Sequence, residues 1–311
     1  MDLGNHIDFI GDIHGHADEL KSLLKKLGYL HNGKGYTHPA RQVVFIGDYI
    51  DRGPKIKETL EVVKAMVDAG NAVALMGNHE FNAICYNEKD GEGNYLREHS
   101  QKNKDQHKET EAEFANDPNL YNMYIDWFKT LPLFLDEKSF RAVHACWDEK
   151  SIEKIPASSN RRLRPGILAE AMHSKKEVFD AIEVILKGIE IKMPDGEVFI
   201  DKYGHERSEI RTKWWNDPRN ANFNSISVEP LQHIETTEEH LQIIKELDFY
   251  THDKPVFFGH YWLQSSNEEG KLQLRKTNVC CLDYSVAKDG QLVAYRFDGE
   301  KELDDAKFVS V

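Results

Sequence analysis

The chain has 311 residues, a hydrophobic fraction of 40% and a formal net charge of -13 at pH 7. This composition is typical of a globular protein with a large core, and the negative charge argues against broad binding to nucleic acids or anionic membranes. Neither a membrane-length apolar run nor a leader-like opening is present, so we expect a cytoplasmic protein that does not bind membranes and has small or local partners.

The first third of the chain alternates short apolar runs with amphipathic segments. The runs HIDFIGD, QVVFIGD and AVALMGNHE are typical of buried strands that stop at a glycine. The segments between them, ADELKSLLKKLGYL and IKETLEVVKAMVDAG, carry apolar residues at helical spacing and also end near glycine. This order predicts an α/β fold with a largely parallel sheet.

The remainder of the chain is less regular. Residues 87–119 are almost wholly polar, which predicts a surface excursion that is partly helical. Residues 147–253 include the basic cluster RRLRPG, the helical run EVFDAIEVILKGIEI and the aromatic RTKWWNDP, and three strand-like runs follow: PVFFGHYWL, NVCCLDYSV and QLVAYRFDG. Because no linker composition stands out, we predict one domain, 1–311, with inserted elaborations at about 86–118 and 147–253.

Polar residues follow five of the strand-like runs, and the carboxyl ends of parallel strands meet at one sheet edge, where ligands bind. Singly, each of these residues is as readily a turn residue or a half-buried histidine as a ligand. Three glycine-flanked motifs after successive strands make a metal site the better interpretation. Carboxylate, imidazole and amide groups without thiolates suit Mn, Fe or Zn better than Ca. The residues are Asp12, His14, Asp48, Asn78, His144 and His260.

Three charged residues lie close together in VVFIGDYIDRGP: Asp48, Asp51 and Arg52. Two carboxylates at this spacing repel unless a cation or the guanidinium holds them, so the segment predicts a metal or phosphate site. A solvated turn is the alternative, since Asp, Gly and Pro are common turn residues.

The motifs GDIHG, GDYIDRG and GNHE, followed by His144 and the Gly-His pair at 259–260, resemble the phosphoprotein phosphatase (PPP) branch of the calcineurin-like metallophosphoesterases. The resemblance is dense over residues 7–81, and the tail NVCCLDYSVAKDGQLVAYRFDGE is similar to that of bacterial PPP-type enzymes related to symmetrical diadenosine tetraphosphatase. The resemblance implies a four-layer αββα sandwich of two mixed sheets with two divalent metal ions between them. It assigns the first metal to Asp12, His14 and Asp48, and the second to Asp48, Asn78, His144 and His260.

Two positions depart from related motifs. Many relatives outside the PPP branch carry GHxH, whereas this chain has GHYW, and Trp262 cannot replace the second histidine as a metal ligand. Eukaryotic protein phosphatases typically have an arginine before GNHE, where this chain has Met76. The first departure favours the PPP branch, and the second argues against a close match to the eukaryotic enzymes.

The resemblance also implies catalytic roles. Arg52 and Asn78 bind the phosphate, His79 protonates the leaving oxygen, and Asp51 orients His79. Arg211 is our choice for a second phosphate-binding arginine, with Arg162, Arg164 and Arg219 as alternatives. The neighbouring residues Trp214 and Trp215 could stack on an aryl substrate, or they could pack in the core.

We therefore expect a metal-dependent phosphomonoesterase, similar to protein phosphatases, that hydrolyses a phosphoprotein or a small phosphate ester. Two divalent ions, with Mn first and Fe or Zn as alternatives, would activate a hydroxide. One alternative is a dinucleoside polyphosphate hydrolase. A non-catalytic, metal-stabilised binding protein is another, but such a protein would be expected to have lost Arg52, His79 or a ligand, and all are present. The sequence leaves open the substrate, the metal pair and the oligomeric state.

Overall fold

The computed structural model describes residues 3–156, 176–194, 196–200, 206–231, 237–263 and 272–311. Its α-helices are α1 Ala17–Lys26, α2 Ile56–Asp68, α3 Asn78–Asn87, α4 Gln101–Phe114, α5 Pro118–Phe128, α6 Glu149–Lys154, α7 Lys176–Lys187, α8 Phe223–Ile226 and α9 Glu238–Lys245. The basic cluster RRLRPG lies outside the described residues. Within the described ranges, every helix is too short or too polar to cross a membrane.

The strands are β1 Ile7–Ile10, β2 Leu30–His31, β3 Tyr36–Thr37, β4 Gln42–Phe45, β5 Ala72–Ala74, β6 Phe134–Asp136, β7 Arg141–Val143, β8 Glu190–Lys192, β9 Phe199–Ile200, β10 Glu206–Arg207, β11 Glu209–Arg211, β12 Val256–Phe258, β13 Val279–Cys281, β14 Asp283–Tyr284, β15 Gln291–Phe297 and β16 Phe308–Ser310. Most of them belong to two larger sheets. The hairpin β2–β3 was not expected from the sequence.

The larger sheet has the order β14-β15-β1-β4-β5, and β16 pairs with β15. Strands β1, β4 and β5 are parallel, as the alternating pattern predicts, whereas β15 runs antiparallel to β1. The second sheet has the order β13-β12-β7-β6, with β12 parallel to both of its neighbours and β6 antiparallel to β7. Both sheets are therefore mixed, and the C-terminal strands divide between them.

The two sheets pack face to face through aromatic and aliphatic side chains. Phe9 of β1 stacks on Phe257 of β12 with ring centroids 3.8 Å apart, and Phe140 and Phe297 meet Phe9 edge-on. These rings are fully buried, so their removal from water favours the packed pair of sheets. The inner faces thus form one hydrophobic layer.

Helices cover the outer faces of the sheets. Helices α1 and α2 contact one another and bury leucine and valine side chains in the core beside the larger sheet. On the other side, the Ile185 carbonyl of α7 accepts the backbone N–H groups of Ala145 and Cys146, just after β7. The resulting four layers confirm the αββα sandwich that the resemblance implied.

The polar segment 87–119 is partly helical, as its sequence predicts, and it also contributes a few buried side chains. It contains the end of α3, all of α4 and the start of α5. His107, Thr110 and Phe114 of α4 are buried at a spacing of three and four residues. The position of α4 could not be located from the sequence, because only one of these three buried side chains is apolar and the apolar helical period is missing.

Candidate metal centre

The predicted ligands meet at one edge of the sandwich. Asp12 and His14 follow β1, Asp48 follows β4, and Asn78 opens α3 just after β5. His144 and His260 follow β7 and β12 of the second sheet. The strand pattern alone suggested one sheet edge, but the structure brings the side chains together from both sheets.

Asp48 lies at the centre of this cluster and is buried. Its Oδ1 atom is 3.4 Å from His144 Nε2, and its Oδ2 atom is 3.5 Å from His14 Nε2. Two groups of side chains have possible ligand atoms within 4.8 Å of one another, and Asp48 belongs to both of them: His14, Asp48 and His79, and Asp48, His144 and His260. A carboxylate shared in this way has the geometry needed to bridge two cations.

Two acceptor atoms face one another beside Asn78. His144 Nδ1 lies 2.9 Å from the Ile46 carbonyl, so Nδ1 must donate, and in neutral His144 the Nε2 atom carries a lone pair. Asn78 Oδ1 is 3.0 Å from that Nε2 atom and 2.8 Å from His260 Nδ1. Two acceptors at such a distance repel unless a cation joins them, and this arrangement fits a metal ion.

The pKa shifts of the clustered side chains also favour a metal site. Burial, followed by the charges of Asp283 and Asp48, raises the pKa of Asp12 well above its ordinary value, although the His260 N–H donates to Asp12 at 3.1 Å. Burial, followed by the Arg52 charge, lowers the pKa of His14 well below its ordinary value. Burial, followed by the Arg211 charge, also lowers the pKa of His260 well below its ordinary value. Neutral imidazoles beside crowded carboxylates form a donor set suited to divalent cations such as Mn, Fe or Zn.

Glu80 holds the backbone of this site in place. Its carboxylate accepts N–H groups from Asp48 at 2.9 Å, Tyr49 at 2.8 Å and Gly77 at 3.0 Å. Burial, followed by the charge of Asp48, raises the pKa of Glu80 to about 8 against the effect of these N–H groups. Sequence reasoning gave Glu80 no role, although it belongs to GNHE, because its partners are backbone groups that no sequence pattern reveals.

The loops of the site are held in an uncommon backbone conformation. Among the described residues, eight that are not glycine have positive φ. Six of them belong to the site, with φ between 46° and 73°: His14, Asp48, Asp51, Arg52, His260 and Trp262. Such residues are disfavoured unless the surrounding structure fixes them, and they concentrate at functional sites.

Asp51 and His79 form a buried pair beside the cluster. His79 Nδ1 lies 2.5 Å from Asp51 Oδ2. The other oxygen, Oδ1, contacts His107 Nδ1 at 2.7 Å and accepts the Thr110 hydroxyl at 2.5 Å. Burial would raise the pKa of Asp51, but hydrogen bonds from His107 and His79 outweigh it and lower that pKa. Sequence reasoning missed His107 and Thr110, because their contacts with Asp51 depend on how α4 packs.

The arginines occupy different places around the site. Arg52 Nη1 donates to His14 Nε2 at 2.7 Å, and its guanidinium lies 4.0 Å from the centroid of the Trp262 ring. Arg211 donates to Glu229 at 2.6 Å and to the His260 carbonyl at 3.3 Å, at the margin of the cluster. Arg219 is 72% exposed and paired with Asp217, whereas Arg162 and Arg164 lie outside the described residues.

The structure favours the core interpretation of the tryptophan pair. Trp214 and Trp215 are buried, and their rings meet edge-on at 5.7 Å. The Trp214 indole N–H donates to the Ala145 carbonyl at 3.0 Å, and both rings pack against Phe258. The prediction that these two rings stack on a substrate is therefore wrong for this conformation. The ring of Trp262 lies beside Arg52 instead.

The sequence profile of the calcineurin-like phosphoesterases matches residues 6–165. The chain is 34% identical over 149 residues to an asymmetrical bis(5'-nucleosyl)-tetraphosphatase of Oceanobacillus iheyensis, with 45% of this chain and 54% of the relative covered. It is 31% identical over 195 residues to a symmetrical bis(5'-nucleosyl)-tetraphosphatase of Vibrio cholerae, with 60% and 63% covered. The matches thus span less than two thirds of either relative. A serine/threonine phosphatase structure from Saccharomyces cerevisiae aligns with 14% identity and a TM-score of 0.48, covering 100% of this chain and 79% of that one.

Proposed function

The chain belongs to the calcineurin-like phosphoesterase family, and from this premise we propose that it is a metal-dependent phosphoric ester hydrolase. One observation carries the proposal. Asp48 is shared by two groups of side chains that could hold a metal ion, and it lies 3.9 Å from the His79 imidazole. Side chains that could hold two cations therefore lie next to the buried His79 imidazole, which is hydrogen-bonded to the Asp51 carboxylate.

The donor set can hold two divalent cations. Asp12, His14 and Asp48 are our proposed ligands for one, and Asp48, Asn78, His144 and His260 for the other. When bound, such cations supply Lewis acidity toward a phosphoryl oxygen and toward an attacking water. The mixed oxygen and nitrogen donors support Mn first, with Fe or Zn as alternatives.

The remaining side chains bind the substrate and move a proton. The planar guanidinium of Arg52 can pair with two phosphate oxygens, while Trp262 supports its flat face. Asn78 and Arg211 are further candidates for binding the phosphate. His79 carries the proton for the leaving oxygen, and Asp51 fixes the imidazole by accepting from Nδ1.

We place phosphomonoesters first as substrates, whether phosphoprotein or small phosphate esters. An alkoxide leaving group is strongly basic and needs a proton, so a firmly held imidazole favours this class. Dinucleoside tetraphosphates are the second candidate, supported by the names of the two bacterial relatives. Their leaving group is a nucleotide phosphate, which is less basic and depends less on a proton donor.

The test is hydrolysis by chelated protein resupplied with Mn, Fe or Zn. The substrates are p-nitrophenyl phosphate, a phosphoserine peptide and diadenosine tetraphosphate. We expect chelation to abolish turnover, Mn to restore it, and Asp48→Asn to bind fewer metal ions than the parent protein. Full turnover in metal-free protein, or an unchanged metal content in Asp48→Asn, would overturn the proposed centre. The order of the three turnover rates decides between the two substrate classes.

A further inference from the structure

The carboxylate of Asp51 is held by two groups on α4. Oδ2 faces His79, whereas Oδ1 accepts the hydroxyl of Thr110 and contacts His107. Thr110 Oγ1 also accepts the backbone N–H of Asp51 at 3.1 Å, so its single proton is free to go to Oδ1. The carboxylate cannot rotate about its χ2 bond without losing both contacts at Oδ1.

The contacts of His107 define which of its nitrogens carries the proton. His107 Nε2 lies 2.7 Å from the Tyr121 hydroxyl on α5, and that hydroxyl accepts from Asn87 Nδ2 at 2.8 Å. The Tyr121 proton can then point to Nε2, which leaves Nδ1 of His107 as the nitrogen that donates to Asp51. The donors form a chain from Asn87 through Tyr121 and His107 to Asp51.

This chain lies in the interior, where hydrogen bonds polarise one another and an unpaired carboxylate oxygen is costly. His107 is 5% exposed and Thr110 is 1% exposed. With Oδ1 occupied by α4, the remaining oxygen is directed to His79 Nδ1, so the orientation of that imidazole depends on a helix outside the three sequence motifs.

We propose that His107 and Thr110 are positioning residues for the proton donor His79. They act through Asp51, fixing its carboxylate so that His79 presents Nε2 to the leaving oxygen. This inference rests on the proposed function, in which His79 supplies that proton.

The experiment compares turnover of a phosphoserine peptide and p-nitrophenyl phosphate, both with Mn. The first substrate needs a proton on its leaving oxygen, whereas p-nitrophenolate leaves readily without one. We expect Thr110→Val and His107→Ala to lower kcat for the peptide about tenfold more than for the aryl ester, with little change in KM, because each loses a hydrogen bond to a carboxylate. Thr110→Ser and His107→Asn, which keep a donor near Oδ1, should recover most of this loss.

Two controls separate the possible failures. Thr59→Val removes a buried hydroxyl on α2 that donates to the Lys55 carbonyl and does not contact Asp51, so it should leave the ratio of the two rates unchanged. His79→Asn should show the largest selective loss. If His79→Asn lowers kcat for both substrates equally, the proposal that His79 is the proton donor is wrong. If His79→Asn is selective but His107→Ala and Thr110→Val are not, the positioning inference is overturned.

A second measurement needs no activity. In metal-free protein, NMR should show the His79 Nδ1 proton far downfield, because it lies in a short hydrogen bond to a carboxylate. We expect this signal to move upfield in Thr110→Val and to return toward its original position in Thr110→Ser. A signal that does not move in Thr110→Val would contradict the inference even if the variants are too unstable for kinetics.

Discussion

Gly77 lies where the turn after β5 passes closest to the central carboxylate. A Cβ atom at this position would be 2.2 Å from Asp48 Oδ1 and 2.3 Å from Asp48 N. Since φ is -94°, alanine fits the backbone and only the crowding opposes it. We expect Gly77→Ala to cost roughly 1–3 kcal/mol of folding free energy and to lower the metal content by displacing Asp48.

Thermal unfolding and metal analysis test this. Gly91→Ala is the matched control, because within the described part of the chain no heavy atom outside its chain neighbours lies within 4 Å of the added Cβ. Equal behaviour of the two variants would show that Asp48 tolerates the displacement.

Sequence reasoning at the residue scale succeeded where chemistry and spacing coincide. Asp12, His14 and Asp48 lie in glycine-flanked motifs directly after strands, so their meeting could be predicted. His107 and Thr110 could not be located in the same way, since their contact with Asp51 depends on where α4 docks, more than 50 residues later in the chain. The contact is a property of the packed helix and of no local pattern.

At the scale of elements, α4 also caps another helix. The Glu113 carboxylate accepts the first N–H groups of α2, from Ile56 at 2.7 Å and Lys57 at 2.9 Å. The N-cap residue, Lys55, makes no side-chain capping bond. The Glu113 carboxylate therefore accepts the backbone N–H groups at the start of α2 that lack a partner within the helix, and its negative charge interacts favourably with the positive end of the helix dipole. We expect Glu113→Ala to lower the free energy of unfolding by about 1 kcal/mol, and Glu113→Gln by less.

Urea denaturation of these variants is compared with Glu111→Ala, which removes an exposed glutamate from the same helix. If Glu111→Ala is equally destabilising, general loss of charge on α4 explains the effect and the cap does not.

The elements predicted best are those with an apolar period. Helices α1 and α2 and strands β1, β4 and β5 follow their sequence patterns closely, because burial of one face selects them. The assignment of β12 to β15 to two different sheets could not be predicted from the run of strands alone. Pairing partners depend on long-range packing, and the apolar runs look the same in either sheet.

For the whole molecule, Asp298 joins distant parts of the larger sheet. It accepts hydrogen bonds from Arg41 at 2.5 Å and Lys307 at 3.0 Å, and His6 Nδ1 lies 3.0 Å away. Burial raises the pKa of Asp298, but these three partners outweigh it, so the folded pKa is depressed below its ordinary value. A carboxylate whose pKa is lower in the folded state stabilises the fold at pH values above its unfolded pKa of about 4. This stabilisation is lost as the pH falls through the folded pKa.

We therefore expect Asp298→Asn to be less stable than the parent protein at pH 7, by roughly 1 kcal/mol because the site is partly exposed to solvent. The difference should shrink as the pH is lowered below about 4. Thermal unfolding across this range is the measurement, with Asp253→Asn as a control for removing an exposed carboxylate. A deficit that stays constant down to low pH would exclude ionisation of Asp298 as its cause.

Strand β1 lies between β4 and β15, and Asp12 receives the backbone N–H of a residue 248 positions further along the chain. During synthesis, ribosomes add about 5–20 residues per second, so His260 follows Asp12 by roughly 10 to 50 s. Throughout that interval β1 lacks its partner β15, and the side-chain cluster lacks His260. The side-chain cluster is therefore incomplete until the C-terminal strands are made, and the unpaired edge of β1 is the segment that a chaperone would have to protect.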